Sequence, residues 1–130
     1  MELPIIIGIS PTLNGIRGIL AARDIKKGEI VEECPVLFVP KEQLEYIDKT
    51  SLEHYYFEWP EGNGAIALGY GSLINHSFEP NVEFDVDTEN KTVNFHAVRD
   101  IKAGEELLTN YNGRVDDKTP LEEGYTNFKN

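Results

Sequence analysis

One short segment occurs twice in this chain, and it restricts the fold more than any other feature. Arg23-Asp-Ile-Lys-Lys-Gly-Glu29 returns as Arg99-Asp-Ile-Lys-Ala-Gly-Glu105. Each copy sets an isoleucine among charged neighbours, then a glycine able to take a left-handed conformation, then a point where a strand restarts. A chain that turns twice in the same way and resumes a strand each time reads as β-rich with pseudo-symmetric halves. Two copies are too few for a solenoid.

The residues between the copies support that reading. Residues 4–9 form an apolar strand, followed by a loop through Asn14-Gly15, a strong turn signal. A second strand spans 17–23. A third spans 30–39, but its alternation fails at Glu32 and Glu33 and it contains Pro35, so an edge or bulged strand is expected. The helical pattern is confined to residues 41–57, where Leu44, Ile47, Leu52, Tyr55 and Tyr56 recur. Thr50 followed by Glu53 matches a capping box and predicts two short helices with a break near 49–51. Residues 59–64 read as loop. Residues 82–86 and 92–98 alternate cleanly and predict an antiparallel hairpin, with Val93, Phe95 and Ala97 on its buried face and His96 on the solvated one. A short strand at 106–109 precedes Tyr111, and the polar tail from Gly113 carries Leu121, Tyr125 and Phe128 as anchors. The fold class expected is mainly β with short helices, in one domain, since 130 residues suffice for one core and not two.

Bulk chemistry narrows the function. A formal net charge of −11 repels phosphate backbones, so direct nucleic-acid binding is not expected, and it draws in basic proteins and peptides. No run of about 20 apolar residues is present, so no membrane span is expected. The single cysteine, Cys34, rules out an internal disulfide and a multi-cysteine zinc site and fits a reducing, cytoplasmic setting. Phosphate-cradling glycine loops, a Gly-x-Ser-x-Gly elbow and paired histidines are all missing, which removes support for nucleotide, serine-nucleophile and metal chemistry. Asn75-His-Ser77 and Asn90-Lys-Thr92 match the glycosylation pattern, but without a secretory signal neither is expected to be used.

What remains is Gly69-Tyr-Gly-Ser-Leu-Ile-Asn-His-Ser-Phe-Glu-Pro-Asn81. Gly69 and Gly71 permit close backbone approach, Pro80-Asn81 marks a turn, and the hydrogen-bonding Asn-His-Ser triplet follows apolar Leu73 and Ile74. A polar segment of this kind is costly unless it faces something specific.

Four motifs occur in order: Arg17-Gly-Ile-Leu-Ala, the first Arg-Asp-Ile turn, Leu73-Ile-Asn-His-Ser-x-x-Pro-Asn81, and Ala103-Gly-Glu-Glu-Leu-Leu-Thr-Asn-Tyr111. Together they resemble the SET-domain family of protein-lysine methyltransferases over about residues 5–112, and most of all the minimal SET proteins of a chlorella virus and of bacteria. The resemblance implies β-clip-like small sheets with a C-terminal pseudoknot, in which residues 1–112 form the SET domain and residues 113–130 close the substrate channel. It implies S-adenosyl-L-methionine as cofactor, S-adenosyl-L-homocysteine as product and no metal. It assigns cofactor binding to Arg17, Gly18, Ile19, Tyr70, Asn75, His76 and Tyr111, with Tyr111 also catalytic, and lysine binding to Tyr55, Tyr56, Thr109 and Tyr125. The chain departs from the family pattern at Ile16, where a glycine is common, at Ser72, and at Phe78, where a cysteine commonly follows Asn-His-Ser. No cysteine-rich tail follows, so no zinc cluster closes the channel. A small residue at Thr109 bears on how many methyl groups are added. The implied substrate is lysine in a basic protein such as a histone, with a nuclear setting in a eukaryote or virus, and a homodimer would complete the surface of so small a domain. The alternatives are a non-catalytic SET-fold module that binds basic peptides, and an acidic chaperone that holds them by charge.

Overall fold

A computed structural model describes residues 2–13 and 15–121. Strands β1 (Ile5–Ile9) and β2 (Arg17–Ala21) form an antiparallel pair. The second sheet contains β3 (Ile30–Val39), β4 (Tyr56–Trp59), β5 (Asn63–Ala67), β6 (Asn75–His76), β7 (Val82–Asp87), β8 (Thr92–Ala97) and β9 (Leu108–Thr109), in the spatial order β4-β5-β3-β8-β7-β9-β6. One helix, α1 (Lys41–Ile47), links β3 to the rest, and none of its residues is buried. Among the described residues no helix is long and apolar enough to cross a membrane.

The repeated segment explains how the two sheets meet. Ile25 and Ile101, both 1% exposed, face each other in an antiparallel bridge. Each turn is closed in the same way. Glu29 N–H donates to Lys26 O and Glu105 N–H to Lys102 O, while Arg23 pairs with Glu29 and Arg99 with Glu105. The copies also cap one another: Asp24 accepts the Ala103 N–H and Asp100 accepts the Lys27 N–H, each at 2.9 Å. Gly28 and Gly104 take φ of 89° and 88°, a conformation strained for residues with a Cβ.

Several expectations about the elements need correction. β3 is not an edge strand: Ile30–Pro35 pairs with β8 and Val36–Val39 with β5, so it lies in the middle of the sheet. The bulge is real and falls between Ile30 and Glu32. Pro35 sits where the strand changes partners, so its missing N–H breaks no continuous ladder. The second helix expected after residue 50 is absent. Thr50 Oγ1 donates to Ile47 O and accepts the Leu52 N–H, a local side-chain turn that competes with helix, and Tyr56 and Phe57 join a hairpin with β5 instead. Of the segment read as loop at 59–64, only Pro60–Gly62 is the tight connection of that hairpin, with Glu61 at φ 65°, while Trp59, Asn63 and Gly64 belong to its strands. The short strand before Tyr111 is reduced to Leu108–Thr109, with Glu106 making an isolated bridge to Leu20.

The hairpin of β7 and β8 forms in the expected register, with Val93, Phe95 and Ala97 wholly buried. His96 lies on the opposite face, 3.2 Å from Asp85. Cys34 is buried in the same core, and desolvation, reinforced by the nearby Glu32 charge, pushes its thiol pKa up to about 12. Thiol reagents are therefore expected to leave the native protein unmodified near neutral pH and to label one cysteine per chain in denaturant. Rapid labelling of the native protein would show that this core opens readily.

Residues 105–111 complete the topology. They pass between β2 and the loop that follows β6. On one side Ala21 N–H donates to Glu105 O and Leu107 N–H to Ile19 O. On the other, Ser77 N–H donates to Thr109 O and Asn81 N–H to Leu108 O. Asn81, 1% exposed, holds this strand with both ends of its amide, donating to Glu106 O and accepting the Leu108 N–H. β9 runs parallel to β6. The threaded arrangement thus matches the pseudoknot expected from the resemblance.

Candidate active site

The stretch from Gly69 to Asn81 is built by close backbone packing. Glu32, which follows the bulge in β3, accepts the Tyr70 N–H at 3.0 Å. At Gly71 a Cβ would fall 2.8 Å from Phe95 Cζ and 2.9 Å from Cys34 Sγ, so no side chain fits there. Gly71 is thus required by the core beneath the segment, and Gly69 by its φ of 99°. Ser72, buried, donates to Ala67 O at 2.9 Å.

That packing delivers Asn75 and His76 to the crossing with β9. Asn75 Nδ2 donates to Arg17 O (2.9 Å) and to Glu106 Oε2 (2.8 Å), which ties the start of β2 to the Asn-His-Ser segment. Tyr111 N–H donates to His76 Nδ1 at 3.0 Å, and the two rings are 5.1 Å apart. Phe78 stands edge-on to the His76 ring at 4.6 Å. Because Nδ1 is the acceptor, the proton of the neutral ring belongs on Nε2. Burial lowers the His76 pKa and keeps the ring neutral near pH 7. The buried Nε2 has no hydrogen-bond partner among the described residues. An unsatisfied buried donor beside neutral amide groups fits a polar, acceptor-rich cofactor held by hydrogen bonds.

A folded-state pKa below the ordinary histidine value contributes stability above that value, about 6.5, and loses it as pH falls through the folded value. Urea midpoints are therefore expected to decline as the pH falls below about 6.5, with the decline reduced in His76→Gln. Glu29 and Glu105 also have lowered pKa values, chiefly from the Arg23 hydrogen bond and the Lys102 backbone hydrogen bond respectively. Their contributions are lost only at lower pH, which separates the two effects. Identical curves for wild type and variant would contradict the assignment to His76.

Tyr111 connects this cluster to a cavity of about 480 Å³. Its hydroxyl donates to the Ile74 carbonyl at 2.7 Å, and its ring lines the cavity. Tyr55, Tyr56 and Thr109 line the same space, so the described lysine-binding candidates converge. Phe57 and Phe84, with ring centroids 5.0 Å apart, form an aromatic wall backed by Phe95. Tyr56 is oriented by its hydroxyl, which donates to Asp48 at 2.8 Å. Pro120 and Leu121 also line the cavity. The segment leading to them is fastened where Asn110 donates to Asp117 O (2.6 Å), Asn112 donates to Thr119 O (2.8 Å), and Lys118 Nζ donates to Phe78 O (2.5 Å).

The other expected residues are distributed differently. Arg17 and Gly18 lie at the Asn75 junction, away from the cavity lining. Ile19 is wholly buried in the core and offers its carbonyl to Leu107. Tyr70 packs against the core and does not line the cavity. Tyr125 and Phe128 lie outside the described residues. Phe57, Phe84 and the buried Glu106 were not singled out from sequence. Phe84 was accessible through strand alternation. Glu106 was accessible through the repeat, because Glu105 matches the ion-paired Glu29 and its neighbour must point the other way.

Comparison with known proteins agrees with the geometry. The SET domain family model matches residues 16–112. A fission yeast (Schizosaccharomyces pombe) histone-lysine N-methyltransferase specific for H3 lysine-37 is 36% identical over 115 residues, covering 85% of this chain and 78% of that protein. Mouse and human histone-lysine N-methyltransferases specific for H3 lysine-36 are each 31% identical over 112 residues, which cover 78% of this chain but only 4% of those much longer proteins. A crystal structure of a Plasmodium falciparum protein superimposes with a TM-score of 0.72 at 29% identity over 85% of this chain and 95% of that one. The Chaetomium thermophilum Polycomb Repressive Complex 2 bound to S-adenosylmethionine shares the fold, with a TM-score of 0.71 at 23% identity over 85% of this chain and 15% of that one. The chain belongs to the SET-domain family of protein-lysine methyltransferases, enzymes that take their methyl group from S-adenosylmethionine.

Proposed function

We propose that this enzyme methylates a lysine side chain of a histone, with S-adenosyl-L-methionine held by Arg17, Gly18, Ile19, Asn75 and His76 and the lysine held in the aromatic cavity. The observation that carries this reading is the position of Tyr111. Its backbone is bonded to His76, its hydroxyl to Ile74, and its ring faces the space lined by Tyr55, Tyr56 and Thr109. The cofactor, when bound, supplies an electrophilic methyl group on a sulfonium and leaves as S-adenosyl-L-homocysteine.

The chain's own residues then have three tasks. Tyr55, Tyr56 and the Phe57–Phe84 wall enclose the aliphatic stem of lysine and exclude water. A lysine with an ordinary pKa near 10.4 must give up about 4–5 kcal/mol to be neutral at pH 7, and an apolar channel lowers that cost by disfavouring the ammonium. Tyr111 fixes the angle of approach, which is where most of the acceleration of an in-line displacement arises. Thr109, small and buried beside Tyr111, leaves space around the amine and sets how many methyl groups are accepted. Tyr70 serves the cofactor indirectly, by holding the Gly69–Gly71 bend against Glu32. Residues 113–130 close the channel in place of a zinc module, a role supported by Pro120 and Leu121 at the cavity wall.

A histone substrate suits the net charge of −11 and implies work in the nucleus, in place of the cytoplasmic setting read from the lone cysteine. Pairing with a second copy would cover Ile6, Ile7 and Ile9, which are exposed on β1. Calorimetry with S-adenosyl-L-homocysteine, together with transfer of labelled methyl to histones, tests the reading. Binding with transfer is expected. Binding of basic peptides without either would instead favour a non-catalytic module.

A further inference from the structure

Glu106 is a buried carboxylate, 3% exposed, that the mechanism above does not use. Ser10 Oγ donates to its Oε1, Thr12 Oγ1 donates to the same oxygen at 2.6 Å, and Asn75 Nδ2 donates to Oε2 at 2.8 Å. Ser10 Oγ also accepts the Leu13 N–H at 2.8 Å, so the hydroxyl that Glu106 holds in turn shapes the loop between β1 and β2. Gly18 faces the other side of the carboxylate, where a Cβ would come within 2.5 Å of Oε2 and 3.2 Å of Asn75 Nδ2. Among the described residues no ion pair involves Glu106. A buried carboxylate without a cation is costly, and here its partners are hydroxyl and amide donors from two segments far apart in sequence.

We infer that Glu106 is a positioning residue for donor binding: its carboxylate clamps the loop at residues 10–13 against Gly18 and Asn75 and so sets the shape of the methyl-donor grip. The inference rests on the assignment of Arg17, Gly18 and Asn75 to the donor. Glu106 touches none of the residues that line the lysine cavity through its recorded hydrogen bonds. Its loss therefore acts on donor affinity and leaves lysine recognition alone. Asn75 joins the clamp through its amide nitrogen, which donates to Arg17 O and to Glu106.

The test uses the full chain, with S-adenosyl-L-methionine and histone varied separately and folding checked by thermal melting. Glu106→Gln places an amide N–H where a hydroxyl or amide donor already points, and a disrupted charge-assisted bond corresponds to about a tenfold rise in donor KM or more. Thr12→Ala, at an exposed position that does not threaten the fold, is expected to raise donor KM several-fold, about threefold to tenfold. Thr12→Ser should restore the wild-type value. The histone KM and the rate at saturating donor should stay within about twofold of wild type in all three. Unchanged donor KM in folded variants would overturn the inference, as would parallel losses in both KM values and the rate, or failure of Thr12→Ser to restore binding. Should Glu106→Gln not fold, the Thr12 pair decides. If the wild type itself binds no donor, the functional assignment falls and this inference with it; if the wild type binds and the variants bind equally well, only this inference falls.

Discussion

Tyr111→Phe is expected to slow methyl transfer by about a hundredfold or more while leaving the protein folded. The hydroxyl lies 2.7 Å from the carbonyl of Ile74, a residue 1% exposed and adjacent to Asn75. This bond fixes the ring between the Asn75–His76 cluster and the aromatic cavity. Phenylalanine keeps the ring and its packing at 5.1 Å from His76 but loses the hydroxyl and its anchor on Ile74. The stability cost of one such hydrogen bond is about 1 kcal/mol. The change in rate should therefore far exceed the change in melting temperature. Steady-state kinetics beside a thermal melt separate the two. A rate within a few-fold of wild type would remove Tyr111 from the reaction.

Phe95→Ala should produce the largest loss of stability. Phe95 is wholly buried, lies 6.1 Å from Phe57 and 6.0 Å from Phe84, and supports the glycine at position 71. Truncating a buried phenylalanine costs about 3–5 kcal/mol, a large part of the 5–15 kcal/mol typical of a domain. For a chain of this size that corresponds to a fall of roughly 10–20 °C in Tm. The same ring backs Phe57 and Phe84, so lysine binding should weaken in whatever fraction remains folded. A shift of only a few degrees would mean that the core collapses readily around the void.

Much of this arrangement was legible in the sequence where the signal is local or repeated. The Arg-Asp-Ile turns announced themselves by identity, and the structure adds that Ile25 and Ile101 meet directly and that Asp24 and Asp100 cap each other's turns. The β7–β8 hairpin followed from alternation alone. β3 was harder, because its central position depends on two partners distant in sequence, and the irregular Glu32 that suggested an edge is instead recruited to hold Tyr70. The helical spacing after residue 50 misled because Tyr56 and Phe57 satisfy a strand equally well and find a partner in β5. The cavity could not be assembled locally, since its walls come from residues 54–58, from Gly71, from Phe84 and Val86, and from positions between Thr109 and Leu121. Thr109 and Tyr111 belong to a motif quoted from the sequence, Tyr55 and Tyr56 were named as aromatic channel walls, and all four line the cavity. Glu106 was passed over because a second glutamate in Gly-Glu-Glu-Leu looks like surface charge, although the match of Glu105 to Glu29 in the repeat sets the two side chains on opposite faces.

Mass spectrometry of histone incubated with the protein and S-adenosyl-L-methionine tests the proposed reaction most directly. Whole-methyl mass increments confined to lysine are predicted with the wild-type chain, and their near-complete loss with folded Tyr111→Phe. No lysine methylation by a wild-type chain that binds the donor, or equal methylation by the variant, would contradict the mechanism proposed for this site.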